Sequence, residues 1–292
     1  MSSALERLIE AEGLPAHYRE VATRYWRPLS EEIAERHAEI PGRPLVVGVN
    51  GAQGSGKSTL CKFLEVLLVE HNQIGVTLSL DDLYLTRAAR LDMAATQHPL
   101  FATRGVPGTH DVALGMAILD RLLAGKSADL PVFDKARDDR AAGTRRVDGP
   151  VQVILLEGWC VGAVPQPWAD LEEPVNDLER LEDSAGAWRR EVNRRLATDY
   201  AEFFARIDML IMLKVPDFAA VLANRRLQEQ KLGAGNPGAG AVMDEAALAR
   251  FIAHYQRLTA WMLAEMPARA DVLVEIGRNQ RPTRVSTKMK PF

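Results

Sequence analysis

Between residues 15 and 40 the apolar positions Val21, Tyr25, Trp26, Leu29 and Ile33 recur at three- and four-residue spacing. That period predicts amphipathic helix, with Pro28 as a break, so residues 1 to 40 read as two or three helices docked on the main domain. The pattern changes after "IPGRP": "LVVGVN" is a short, continuous, β-rich apolar run, as expected of a strand buried on both faces. Similar runs at 75–85 (GVTLSLDDLYL), 151–159 (VQVILLEGW), 207–215 (IDMLIMLKV) and 270–276 (ADVLVEI) predict further strands, the last run being the final one. Helical patterns at 59–70, 112–123, 187–206 and 244–265 lie between them. Strand alternating with helix implies a doubly wound, mainly parallel sheet with helices on both faces.

Two stretches fall outside this rhythm. Residues 164–186 are acidic and proline-containing, which predicts a surface insertion. Residues 231–244 (KLGAGNPGAGAVMD) are glycine-rich with few large side chains, which predicts a mobile loop of the kind that serves as a lid.

Composition narrows the classes. The chain of 292 residues can hold one large α/β domain or two small ones, and 47% hydrophobic with 26% charged residues indicates neither disorder nor a membrane class. A net charge of −3, from 36 basic and 39 acidic residues, provides no field for nucleic acid or an acidic membrane, so a small-molecule partner is expected. Cys61 and Cys160 lack C-x-x-C spacing and read as reduced thiols. The N-terminal residues carry acids among the apolar ones, so no signal peptide is expected, and no run reaches the roughly 18 apolar residues of a membrane span; a cytoplasmic location is therefore expected.

The first candidate chemistry is "GAQGSGKST". It fits G-x-x-x-x-G-K-S over residues 51–58, between a predicted strand and a predicted helix. Gly51, Gly54 and Gly56 permit a tight turn whose amides cradle a phosphate, with Ala52, Gln53 and Ser55 completing the cradle and Thr59 following it. Lys57 then reaches the β- and γ-phosphates, Ser58 is placed to hold Mg²⁺, and the helix directs its positive end at the anion. The chain lacks the N-K-x-D of guanine readers and the L-S-G-G-Q of transporter ATPases. Acids at the carboxyl ends of strands come next: Asp81 and Asp82 after "VTLSL", and Glu157 after "VQVILL". Glu157 reads as a Walker-B-like Mg²⁺ acid if its strand lies beside the phosphate-loop strand. Asp81 is the candidate base for a hydroxyl attacking the γ-phosphate, whereas Asp82 either caps the next helix, faces water or shares the site.

Taken in order, "GAQGSGKST", "LSLDDLYLT", "RGVPGTHD", "PVFDKARDDR" and "VILLEGW" resemble the plant- and fungal-type D-glycerate 3-kinases and their bacterial relatives. These form a branch of the P-loop phosphoribulokinase, uridine kinase and pantothenate kinase group, and the likeness runs from about residue 45 to 274. The resemblance implies a P-loop NTPase fold that uses ATP and Mg²⁺ to phosphorylate a hydroxyl of a small molecule, most closely D-glycerate at its 3-hydroxyl. By motif it assigns Asp81 as base and Glu157 as the Walker-B-like acid, and puts Arg104, His110 and Asp111 by the acceptor. An Arg fork suits a carboxylate, and glycerate hydroxyls can bond to His and Asp. The plainer alternative makes Gly105, Pro107 and Gly108 a turn, Asp111 a helix cap and His110 a packed ring. Lys135 and Arg137 match an element near the acceptor and could neutralise phosphate or carboxylate, or form a solvated loop; Tyr84 lines the pocket. Arg225 and Arg226 match lid arginines, with Arg226 taken as the phosphate contact.

The chain departs from the pattern at Trp159-Cys160, and Cys160 reads as a buried structural thiol. The expected organisation is an N-terminal helical extension at 1–43 and a P-loop kinase domain at 44–292, with a lid at 225–244. Other small acceptors, such as pantothenate or a nucleoside, and a non-catalytic ATP-binding regulator stay open as alternatives.

Overall fold

In the computed structural model of the chain, which describes residues 3–235 and 243–288, strand β1 (Leu45–Gly51) is buried at every position. The reason is a core on each side of the sheet. Val46 packs into one, with Ile154, Leu156 and Met212, while Leu45, Val47 and Val49 pack into the other, with Leu155 and Ile211. Alternate side chains of one strand therefore all meet apolar partners, which is why the sequence shows a run and not an alternation. The other strands are β2 (Gly75–Ser79), β3 (Ala128–Asp134), β4 (Asp139–Val147), β5 (Val153–Gly158), β6 (Met209–Lys214), β7 (Val272–Ile276) and β8 (Pro282–Thr287). Six of them form one sheet in the order β2-β5-β1-β6-β7-β8, parallel except for β8. The protein is thus α/β with helices on both faces, and among the described residues no helix is long and apolar enough to cross a membrane.

Several elements differ from the sequence expectation. The helical course from Tyr18–Val21 to Arg27–Ala38 is not broken at Pro28. A π-helical turn over Ala22–Trp26, closed by the Arg27 N–H on the Ala22 carbonyl, carries the chain past the proline ring. Strand β2 stops at Ser79 and does not reach residue 85, because Leu80–Leu83 tighten into a 3-10 turn. Much of the charged "PVFDKARDDR" belongs to an antiparallel hairpin of β3 with β4. Strand β4 is exposed over most of its length, so burial imposed no alternation on its sequence. The final strand is β8, not β7; it begins with proline at the sheet edge, and only Val285 in it is buried.

Of the loop expected at 231–244, residues 231–235 continue the Phe218–Gly235 helix, since an established helix adds residues with one bond each. Residues 236–242 of the expected loop and lid lie outside the described residues.

The segment expected as a surface insertion at 164–186 carries buried side chains. Glu179 receives Arg257 Nε at 2.8 Å and Nη2 at 2.6 Å, and Asp183 receives Arg189 Nη1 at 3.0 Å, all four residues being buried. Removing one partner of such a pair leaves an uncompensated buried charge, which costs about 3–5 kcal/mol. Arg257→Ala is therefore expected to lower the unfolding free energy in urea by about that amount, and adding Glu179→Gln should restore part of it. A loss below about 1 kcal/mol would show that the pair is not what anchors this segment.

Candidate active site

The phosphate loop leaves β1 at Gly51, where an added Cβ would lie 2.4 Å from Ser55 Oγ, so the turn has room only for hydrogen. Gly54 and Gly56 take φ of 74° and 92°, the left-handed region that other residues avoid, and Lys57 opens the Lys57–Leu68 helix. Ala52 is buried beneath the loop, and Thr59 continues the first helical turn after Ser58. The Gln53 side-chain oxygen and Ser55 Oγ are buried without a hydrogen-bond partner among the described residues. The loop, its helix N-terminus and the Ser55 hydroxyl, which can donate, fit an anionic ligand.

Parallel pairing then fixes the acid. Glu157 at the end of β5 pairs with Val49 of β1 on one side and with Ser79 of β2 on the other. Its Oε1 accepts from Ser58 Oγ at 3.1 Å and from Ser79 Oγ at 2.7 Å. Its Oε2 is buried without a hydrogen-bond partner among the described residues and forms a long ion pair, 3.9 Å, with Lys57 Nζ. A hydroxyl and a carboxylate with a spare oxygen are hard donors, and Ser58 and Glu157 would suit a divalent cation such as Mg²⁺. Ser79 was not singled out in the sequence; a hydroxyl ending a strand two residues before the aspartates was the available signal.

Past Ser79 the 3-10 turn presents Asp81 and Asp82 in different directions. Asp82 is half-buried, and its Oδ1 accepts the Phe133 N–H at 3.0 Å, which ties the β3–β4 hairpin to the end of β2. Burial, opposed by that hydrogen bond, raises its pKa. Asp81 accepts Tyr84 O–H at 3.0 Å on one oxygen and Lys135 Nζ at 2.7 Å on the other. Burial alone would raise its pKa, but the charges of Lys135 and Lys57 and these hydrogen bonds hold it well below the usual carboxylate range. Lys57 thereby couples the phosphate loop electrostatically to Asp81.

The residues expected on the acceptor side separate into two groups. Tyr84 is buried, stacks on His110 at 4.6 Å between centroids and meets Phe133 edge-on at 5.1 Å. His110 is 5% exposed; burial, against the pull of Asp81, lowers its pKa to about 3, so the ring is neutral. Asp81, Tyr84, His110 and Lys135 thus form one connected array. Arg104 stands at its margin, 5.4 Å over the Phe133 ring and paired with Asp138. Asp111 caps the Val112–Leu123 helix through the Leu114 N–H and pairs with Arg140 at 2.9 Å, so both its oxygens are engaged within the scaffold.

Arg137 is exposed at the hairpin turn, where its N–H meets Asp134 Oδ1 at 3.2 Å. Arg226 pairs with Glu245, and Arg225 lies 5.6 Å over the Phe251 ring, so both meet the Glu245–Glu265 helix. Cys160 is buried, and burial with the Asp81 charge pushes its thiol pKa up, which removes it as a nucleophile.

No protein-family model matches the chain. The uncharacterized kinase mug58 of Schizosaccharomyces pombe is 32% identical over 238 residues, covering 77% of this chain and 83% of that protein. The chloroplastic D-glycerate 3-kinase of Arabidopsis thaliana is 29% identical over 258 residues, 82% of this chain but 54% of that protein, so this chain spans about half its length. The structure of D-glycerate 3-kinase from Cryptococcus neoformans var. grubii superposes with a TM-score of 0.74 at 25% identity, over 89% of this chain and 97% of that one. With that sequence likeness over most of its length, the chain belongs to the P-loop kinases, and D-glycerate 3-kinases, uridine kinases and pantothenate kinases are among its relatives.

Proposed function

We propose that the protein transfers the γ-phosphate of ATP to a hydroxyl of a small acidic metabolite, D-glycerate at its 3-hydroxyl. The observation that carries this reading is Asp81: an ionised carboxylate between Tyr84 and Lys135, within the electrostatic reach of Lys57. A hydroxyl acceptor needs such a carboxylate to take its proton as the oxygen attacks. Lys57 and the amides of residues 51–58 hold the phosphates and oppose the charge moving through the γ-phosphoryl group. Ser58 and Glu157 are the residues to hold Mg²⁺, which when bound neutralises phosphate oxygens. Lys135, with Arg104 at the margin, offers positive charge to the acceptor's carboxylate, which favours an acid over an uncharged nucleoside.

The reading is tested by ATP consumption with Mg²⁺ in the presence of D-glycerate, pantothenate or uridine in parallel. Turnover with D-glycerate at least about tenfold above the others in kcat/KM is expected, a margin of about 1.4 kcal/mol in transition-state binding. Turnover of pantothenate or uridine alone removes glycerate as the acceptor, and turnover of none removes the kinase reading for these acceptors.

A further inference from the structure

Tyr200 lies fully buried on the Asp199–Phe204 helix, beneath the loop that carries His110. Its phenol oxygen accepts the Gly108 N–H at 3.0 Å and is 2.6 Å from His110 Nδ1. A backbone N–H can only donate, and a phenol has a single proton to give. With Gly108 on an oxygen lone pair, the phenol proton is satisfied when Tyr200 donates to Nδ1. A neutral imidazole that accepts at Nδ1 carries its own proton on Nε2. That Nε2 is buried and has no hydrogen-bond partner among the described residues. A buried donor is costly to leave unmade, so it marks a place where a ligand oxygen belongs. The ring stacks on Tyr84, whose hydroxyl reaches Asp81, so the unpartnered donor belongs to the array around the proposed base.

We infer that Tyr200 is a positioning residue that fixes His110 as the Nε2–H tautomer, a neutral donor for an oxygen of the acceptor other than the attacking hydroxyl. The attacking oxygen must release its proton and keep a lone pair for phosphorus, so a donor aimed at that oxygen would compete for the electrons the reaction needs. A carboxylate oxygen has lone pairs to share and no part in bond formation. The inference rests on the proposed acceptor site at Asp81, and its test separates the two.

The full chain labelled with ¹⁵N-histidine is examined by two-bond ¹H–¹⁵N correlation, with the signal of His110 identified by its loss in His110→Gln. The expected pattern has Nε2 protonated and Nδ1 unprotonated in the natural protein, moving toward a tautomer mixture in Tyr200→Phe. In steady-state assays Tyr200→Phe raises KM for D-glycerate about twofold or more, the reciprocal of the Nε2–H fraction that a tautomer mixture leaves, with kcat and KM for ATP unchanged. His110→Gln, whose amide can place an N–H near the Nε2 position, retains more D-glycerate affinity than His110→Asn, whose shorter amide reaches only the Nδ1 position. A purely structural role would lower kcat and raise both KM values together. An unprotonated Nε2 in the natural protein, or a Tyr200→Phe variant with unchanged tautomer and unchanged KM, overturns the inference. If D-glycerate is not turned over at all, the proposed function fails, and the correlation pattern alone decides the tautomer.

Discussion

Asp81→Asn is expected to lower kcat with the acceptor by about 10²–10⁴-fold, the usual contribution of a positioned general base, while ATP affinity stays unchanged. Asparagine keeps an oxygen for the Tyr84 hydroxyl, 3.0 Å from Asp81 Oδ1, but it cannot take the acceptor proton and gives up the Lys135 ion pair. The pH dependence is set by the surroundings of the carboxyl. Burial favours its protonated form, yet Lys135 and Lys57 outweigh burial and hold the pKa low. The group therefore stays ionised through neutral pH, and it contributes no acid limb to kcat/KM in that range. Lys135→Met removes the largest of the opposing charges, so the Asp81 pKa must rise and an acid limb must move upward in pH. The same depression stabilises the fold above the unfolded carboxyl pKa of about 3.9, and that contribution is lost as pH falls through the lower folded value. Stopped-flow or coupled assays of both variants across pH 4 to 9 measure the acid limb, and urea unfolding at lower pH measures the stability change. An Asp81→Asn variant with undiminished kcat removes Asp81 as the base.

The phosphate loop was legible because its parts are contiguous: the glycines, Lys57 and Ser58 act through the backbone of one turn, and β1 and the Lys57–Leu68 helix flank it directly. The parallel sheet was legible because burial on both faces writes uninterrupted apolar runs, as in β5 and β6. Glu157 could be read as an acid ending such a run, but its partners Ser58 and Ser79 lie 99 and 78 residues away and meet it only through strand order. Tyr200 is similarly distant from His110, by 90 residues, and a tyrosine inside a helix gives no local sign of serving a histidine. The hairpin of β3 and β4 was hidden for the opposite reason: its exposed face accepts charge freely, so its sequence looks like a solvated loop. Asp111 shows a limit of motif reading, since a residue in a family motif is also needed by the scaffold, as a helix cap and as the partner of Arg140.

Glu157→Gln is the second substitution with a large expected effect, and its logic is charge in a confined place. The glutamine oxygen can still accept from Ser79 and Ser58, now at 2.7 and 3.1 Å from Glu157 Oε1, so the local geometry has little reason to change. What disappears is the negative charge on a residue only 5% exposed, together with the Oε2 that lies 3.9 Å from Lys57 Nζ and has no hydrogen-bond partner among the described residues. An amide nitrogen in that position has no lone pair for a cation, so Mg²⁺ would lose the carboxylate that distinguishes this site from a bare phosphate loop. Charge stabilisation of several kcal/mol is at stake, which corresponds to about 10²–10³-fold in kcat. Metal-free ATP should respond in the other direction: with one negative charge fewer near the phosphates, its affinity should hold or improve. Calorimetric titration with ATP in EDTA and again in excess Mg²⁺ separates the two effects. The natural protein should bind the magnesium complex more tightly than free ATP, and the variant should lose that preference. Equal preference and equal kcat in the two proteins would place the metal elsewhere and leave Glu157 as a structural acceptor for two serines.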